Sequence, residues 1–97
     1  IMDIGAGDGS LLQSLQLKIN GLELVGTDYS ETSIAFLTSL GIKAFFLDLE
    51  NSEKLTSDLD SIKPDHVIIF EVLEHLSIPE ETLKCAMRSS SKYVHFS

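Results

Sequence analysis

The chain is 97 residues long, enough for one domain at most. Its apolar share of 43% and charged share of 23% are those of a globular protein and exclude a disordered or collagenous one. Seven lysines and arginines stand against 15 acids, a net charge of -8, which excludes any general attraction to nucleic acid or anionic lipid. The cations are scattered from Lys18 to Lys92, so no local basic patch offsets this. The longest apolar runs, such as Val67-Ile-Ile-Phe70, fall far short of the roughly 20 residues a membrane span needs. No secretory leader pattern opens the chain. A lone cysteine, Cys85, allows no internal disulfide and fits a reducing, cytoplasmic setting.

Residues 1–4 form a candidate strand that opens without a preceding turn, and another apolar segment closes the chain. The expectation is a single core domain, residues 1–97, cut from a longer chain at both ends. Gly5-Ala-Gly-Asp-Gly9 follows as a glycine-rich turn. Residues 10–19 read as a helix with Leu11, Leu12, Leu15 and Ile19 on one face. Asn20-Gly21 ends it, and residues 22–27 are a second strand. Ser30 is a candidate N-cap for a helix running to Leu40, with Ile34, Leu37 and Leu40 facing inward. Residues 42–47 are a third strand. The polar stretch 51–62 reads as a short helix, and Lys63-Pro64-Asp65 is a break. Residues 66–70 are apolar enough for a strand buried on both faces. Pro79, Glu80 and Glu81 suit the first turn of a last helix, with Leu83, Ala86 and Met87 toward the sheet. A loop at 89–91 and a fifth strand at 92–96 complete the pattern. Strands alternating with helices imply right-handed crossovers and an α/β fold, a Rossmann-like doubly wound, mostly parallel sheet.

In such a sheet ligands sit beyond the carboxyl ends of the strands. The segments there are the glycine loop, Asp28-Tyr29, Asp48-Leu49-Glu50 and Glu71-Val-Leu-Glu-His75. Carboxylates at successive strand ends form a site pattern. The loop spacing is G-x-G-x-G with Asp8 inside it, whereas dinucleotide sites use G-x-G-x-x-G and rest a pyrophosphate on the helix N-terminus. Asp8 would repel a pyrophosphate and could itself occupy the positive end of the following helix. The loop therefore suits a ligand that lacks phosphate and carries positive charge. The competing reading is an ordinary strand-to-helix turn.

These segments resemble the core of the class I S-adenosylmethionine-dependent methyltransferases. Asp3-Ile-Gly-Ala-Gly-Asp-Gly9 resembles the family's D-x-G-x-G-x-G motif. Asp28 resembles its second-strand acid, Asp48 its third-strand acid, and residues 65–76 its fourth-strand motif. The order of short segments is also similar to the MetW-like branch, though the Gln-rich segment usual after its fourth strand is replaced by Glu-Val-Leu-Glu-His. The resemblance implies a sheet order 3-2-1-4-5, S-adenosyl-L-methionine as cofactor and in-line methyl transfer to an unidentified acceptor. It implies that Gly5, Ala6, Gly7 and Gly9 bring backbone close to the methionine portion. Asp3 would hold its ammonium, Asp28 the ribose hydroxyls, Tyr29 the adenine face, Asp48 the adenine amino group and Leu49 the ring edge. Glu71 would line the methionine end.

Glu71, Glu74 and His75 admit three readings. They are a wall of the pocket, or His75 with Glu74 acts in catalysis as a base near neutral pH, or the three gather a divalent metal. His66 and His95 read as structural, and Cys85 as buried and inert. Two rival functions stay open. One is a non-catalytic, methyltransferase-like partner of another enzyme. The other is a nicotinamide-dependent oxidoreductase, against which the loop spacing and Asp8 argue.

Overall fold

A computed structural model of the protein describes residues 1–88 and 92–97; the loop expected at 89–91 lies outside the described residues. The strands are β1 (Met2–Ile4), β2 (Val25–Asp28), β3 (Lys43–Phe46), β4 (His66–Ile69) and β5 (Tyr93–Phe96). All pair in parallel, the Rossmann-like sheet expected from the alternation, in the order β3-β2-β1-β4-β5 that the resemblance implied. Between them run α1 (Ser10–Lys18), α2 (Glu31–Ser39), α3 (Ser52–Ile62) and α4 (Pro79–Arg88), with a 3₁₀ turn at Leu73–His75.

Alternation along the strands sorts the side chains into two cores. Met2, Ile4, Val67 and Ile69 face α3 and α4, where Leu55, Leu59 and Ala86 bury against them. Leu12 of α1 and Leu37 of α2 pack with Ile42 on the opposite face. Each fully buried Leu or Ile contributes about 1.5–3 kcal/mol, so these two sets carry the fold. Gly26 of β2 lets the second core close: a Cβ there would lie 2.9 Å from Leu37 Cδ1 and 3.1 Å from Leu12 Cδ1.

Local chemistry sets the helix starts. Ser30 Oγ accepts the Ser33 N–H at 3.4 Å, as its capping role required. The polar stretch read as a short helix is a full 11-residue one, capped by Asn51 Oδ1 on the Lys54 N–H at 3.1 Å and anchored by Leu55 and Leu59. β2 begins at Val25, later than the expected residue 22: the register sets Met2 opposite Val25, and before that pair the Ile1 amine donates to the Glu23 carbonyl at 2.8 Å. On α4 the sheet-facing stripe is Thr82 and Ala86, four residues apart. Met87, placed one residue further round, is 68% exposed rather than facing the sheet.

The face of β4 and β5 on the α1–α2 side carries His66, Tyr93 and His95. His66 Nδ1 and His95 Nε2 lie 3.0 Å apart. The two rings are nearly parallel, with centroids 5.3 Å apart, and Tyr93 lies against His66 and is 57% exposed. No helix among the described residues is long and apolar enough to cross a membrane.

Candidate functional site

The carboxyl ends of β1 to β4 enclose a cavity of about 400 Å³, within the range of small-ligand sites. Of the residues expected there, Gly5, Asp28, Tyr29, Asp48, Leu49, Glu71 and His75 line it. Asp3, Ala6, Gly7, Gly9 and Glu74 do not. Glu50, Val72 and Leu76 also line it; the first two fall in the strand-end segments read from the sequence, but none of the three was given a role there. Glu50 was legible as the next acid after Asp48. Val72 and Leu76 carry no chemical signal and enter only through the turn that follows β4.

The glycine loop is tied to β2. The N–H groups of Gly5 and Ala6 both donate to the Thr27 carbonyl, at 2.9 and 2.8 Å, and the Gly7 N–H donates to Asp28 Oδ2 at 2.9 Å. Those amides are committed within the protein, so the loop offers bare Cα positions rather than these donors. Gly5 has φ 79, and a Cβ there would sit 2.4 Å from Val72 Cγ2. Gly7 has φ 58 with open space where its Cβ would be. Asp8 Oδ1 accepts both the backbone N–H of Ser10, at 3.0 Å, and its hydroxyl, at 2.7 Å. The Ser10 hydroxyl, then its amide, holds the Asp8 carboxyl below the ordinary range. Asp8 thus occupies the start of α1, and an anionic phosphate would meet a carboxylate there.

Asp28 is the hinge of the site. Oδ2 takes the Gly7 N–H and Oδ1 takes the Ser30 N–H at 2.9 Å, which fixes the carboxylate between loop and α2 with its remaining lone pairs at the cavity. Behind it, Asp3 is only 4% exposed. Burial, and then the Asp28 charge, raises the Asp3 carboxyl from 3.8 to about 7. Among the described residues none donates a hydrogen bond to this side chain. Asp48 Oδ1 accepts the Glu50 N–H at 3.0 Å in a tight turn, and the cap of α3 is Asn51 rather than Asp48. Tyr29 stands 76% exposed at the rim.

After β4 the chain turns sharply. Glu71 has φ 56, a left-handed conformation uncommon for a residue with a Cβ, and its N–H donates to Ser97 Oγ at 3.1 Å. Glu50 Oε1 accepts the Ser77 N–H at 3.2 Å and joins the walls after β3 and β4. His75 Nε2 lies 3.7 Å from Glu74 Oε1, both exposed. Among the described residues no group of three or more His, Cys, Asp or Glu could hold a metal ion, so Glu71, Glu74 and His75 are not gathered as a ligand set. His95 pairs with His66 away from the cavity. Cys85 is half-buried between α3 and α4, with its Sγ 3.4 Å from Thr56 Oγ1.

Residues 2–91 match the family model described as a methyltransferase domain. A SAM-dependent methyltransferase from Archaeoglobus fulgidus is 32% identical over 95% of this chain, with a TM-score of 0.74, and the chain spans 39% of that protein. The plantazolicin methyltransferase BamL, solved with a triazolic desmethylPZN analog and SAH, is 26% identical over 89% of this chain and 32% of its own, with a TM-score of 0.70. A Citrobacter triphenylmethane reductase reaches a TM-score of 0.78 over 99% of this chain and 36% of its own at 14% identity, a likeness of fold alone. No curated protein sequence matches the chain. The sheet is thus shared with reductases, but the family match takes in the glycine loop and every strand-end acid: the chain belongs to the methyltransferase domain family, as a class I S-adenosylmethionine-dependent methyltransferase core.

Proposed function

We propose that the cavity binds S-adenosylmethionine and that the whole protein uses it for methyl transfer. The observation that carries this reading is a pair of acids at a ligand-sized cavity: Asp28 lines it, held by the Gly7 and Ser30 N–H groups, and the buried Asp3 lies behind Asp28 without lining it. Such a pair is costly with no cation nearby and favourable once one arrives. The cofactor fits this chemistry, because it carries an ammonium and a sulfonium and no phosphate. The committed loop amides and Asp8 weigh against a pyrophosphate, and so against the nicotinamide alternative.

In this reading Asp28 accepts the ribose hydroxyls with its free lone pairs. Asp48 and Leu49 meet the adenine edge, and Tyr29 covers its face. Gly5 and its neighbours Ala6, Gly7 and Gly9 keep side chains out of the methionine end, and Asp3 answers the ammonium. When bound, S-adenosylmethionine supplies a methyl carbon on a positively charged sulfur whose departing form is neutral. The residues of this chain therefore have mainly to align and to exclude water. Glu71 lines the methionine end. His75, with Glu74 beside it, stands at the rim where a proton of the acceptor could be taken.

The test is isothermal titration of the whole protein with S-adenosylhomocysteine and with NAD. Binding of the first and not the second is the expected outcome. Binding of NAD alone would overturn the reading in favour of an oxidoreductase.

A further inference from the structure

The cavity carries charge of one sign. Asp28, Asp48, Glu50 and Glu71 line it, and among the described residues no Lys or Arg does. The fold extends the same polarity outward. The strands are parallel, so each returning helix starts at the end of the sheet where the cavity opens. The first turns of α2, α3 and α4 place Glu31, Glu53, Glu80 and Glu81 at that end, against Lys54, which is paired with Asp58. The opposite end holds Lys18 in the last turn of α1, Lys43 opening β3, Lys63 capping α3, Arg88 closing α4 and Lys92, which outnumber the acids there, Glu23, Asp60 and the Lys92-paired Asp65. A charge distribution of this kind draws cations toward the mouth and turns anions away.

Two of the lining acids are not used by the cofactor's adenosine. Glu50 bonds Ser77 with one oxygen and leaves the other free. Glu71 is held in a left-handed conformation that a glycine would adopt more readily, yet it presents a carboxylate to the cavity. Resting on the methyl-transfer reading, we propose that the acceptor is an amine, received as a cation by Glu50 and Glu71. A phosphate or carboxylate-bearing acceptor would have to enter between like charges. Chemically, the ammonium first gives up a proton to His75 at the rim, which passes it on to water. The amine nitrogen then forms an N–C bond to the methyl carbon as the S–C bond breaks, and sulfur keeps the bonding pair. The methylated ammonium finally releases its proton to water.

The experiment uses the whole protein with tritiated-methyl S-adenosylmethionine and two acceptor sets, one of primary and secondary amines and one of carboxylates and phosphate esters. S-adenosylhomocysteine affinity is measured in parallel. Label entering only the amines, with kcat/KM falling as salt is raised, is the expected result. Glu50→Gln keeps the oxygen that meets Ser77 and removes only the charge; combined with Glu71→Gln it is expected to raise KM for the amines about tenfold. Label in the anionic set, or no label in amines by a protein that binds S-adenosylhomocysteine, overturns the amine assignment. Failure to bind S-adenosylhomocysteine overturns the cofactor reading beneath it.

Discussion

At the scale of single residues the two acids Asp3 and Asp28 divide the work. Beside the ligand role proposed for it, Asp28 carries structure, since it accepts the N–H groups of both Gly7 and Ser30. Asp28→Ala is therefore expected to lower S-adenosylhomocysteine affinity by about 1–3 kcal/mol and also to lower Tm. Asp28→Asn, with one acceptor oxygen left, should recover part of the Tm and little of the affinity. Calorimetry and thermal melts on the same samples separate the two effects. Asp3 behaves differently. The folded chain holds its proton up to about pH 7, the unfolded chain only to 3.8, so the native state binds more protons between those values and stability falls as pH rises through them. The contribution present below 3.8 is lost above about 7 and is on the order of 4 kcal/mol. Asp3→Asn should flatten that slope and melt higher than the parent at alkaline pH, with the two converging in acid. Ligand binding should run the other way. A cation favours ionised Asp3, so affinity should rise with pH through about 7, with proton release detectable in buffers of different ionisation heat.

At the scale of elements the glycine loop gives the sharpest contrast. Gly5 faces both a positive φ and Val72, while Gly7 faces the positive φ alone. Gly7→Ala is expected to cost about 1–2 kcal/mol, and Gly5→Ala more, by urea unfolding. If the two cost the same, Val72 yields freely and the loop is not clamped. For α3, Asn51→Ala should cost about 1 kcal/mol and Leu59→Ala about 2–5 kcal/mol. These elements were largely legible in the sequence. Each strand is a short apolar run, each helix has a recognisable start, and acids recur at the strand ends. What the letters did not give is where a hydrogen bond goes. The loop was expected to bring backbone close to the methionine portion, but the N–H groups of Gly5, Ala6 and Gly7 are spent on Thr27 and Asp28, because β2 ends alongside the loop. Likewise Met87 read as a core residue by its apolarity, and only the rotation of α4 that buries Thr82 and Ala86 turns it outward.

At the scale of the whole molecule, the order β3-β2-β1-β4-β5 collects residues far apart in sequence, from Gly5 to His75, into one cavity. The parallel sheet followed from alternation, and its order from the family resemblance. The separation of charge between the two ends of the sheet did not, since it depends on every helix running back against the strands. The same pairing has a subtler consequence at His66 and His95. A ring-centroid separation of 5.3 Å with a 3.0 Å contact between Nδ1 and Nε2, in nearly parallel rings, leaves room for one hydrogen on the line between them. If His66 supplies it from Nδ1, His95 must be bare at Nε2 and carry its own hydrogen on Nδ1. If His95 supplies it from Nε2, His66 is bare at Nδ1 and protonated on Nε2. Two neutral imidazoles on neighbouring strands are thus locked into the same tautomer. Nitrogen-15 chemical shifts should report both rings as Nδ1–H or both as Nε2–H, and a His95→Phe substitution should release His66 from that constraint.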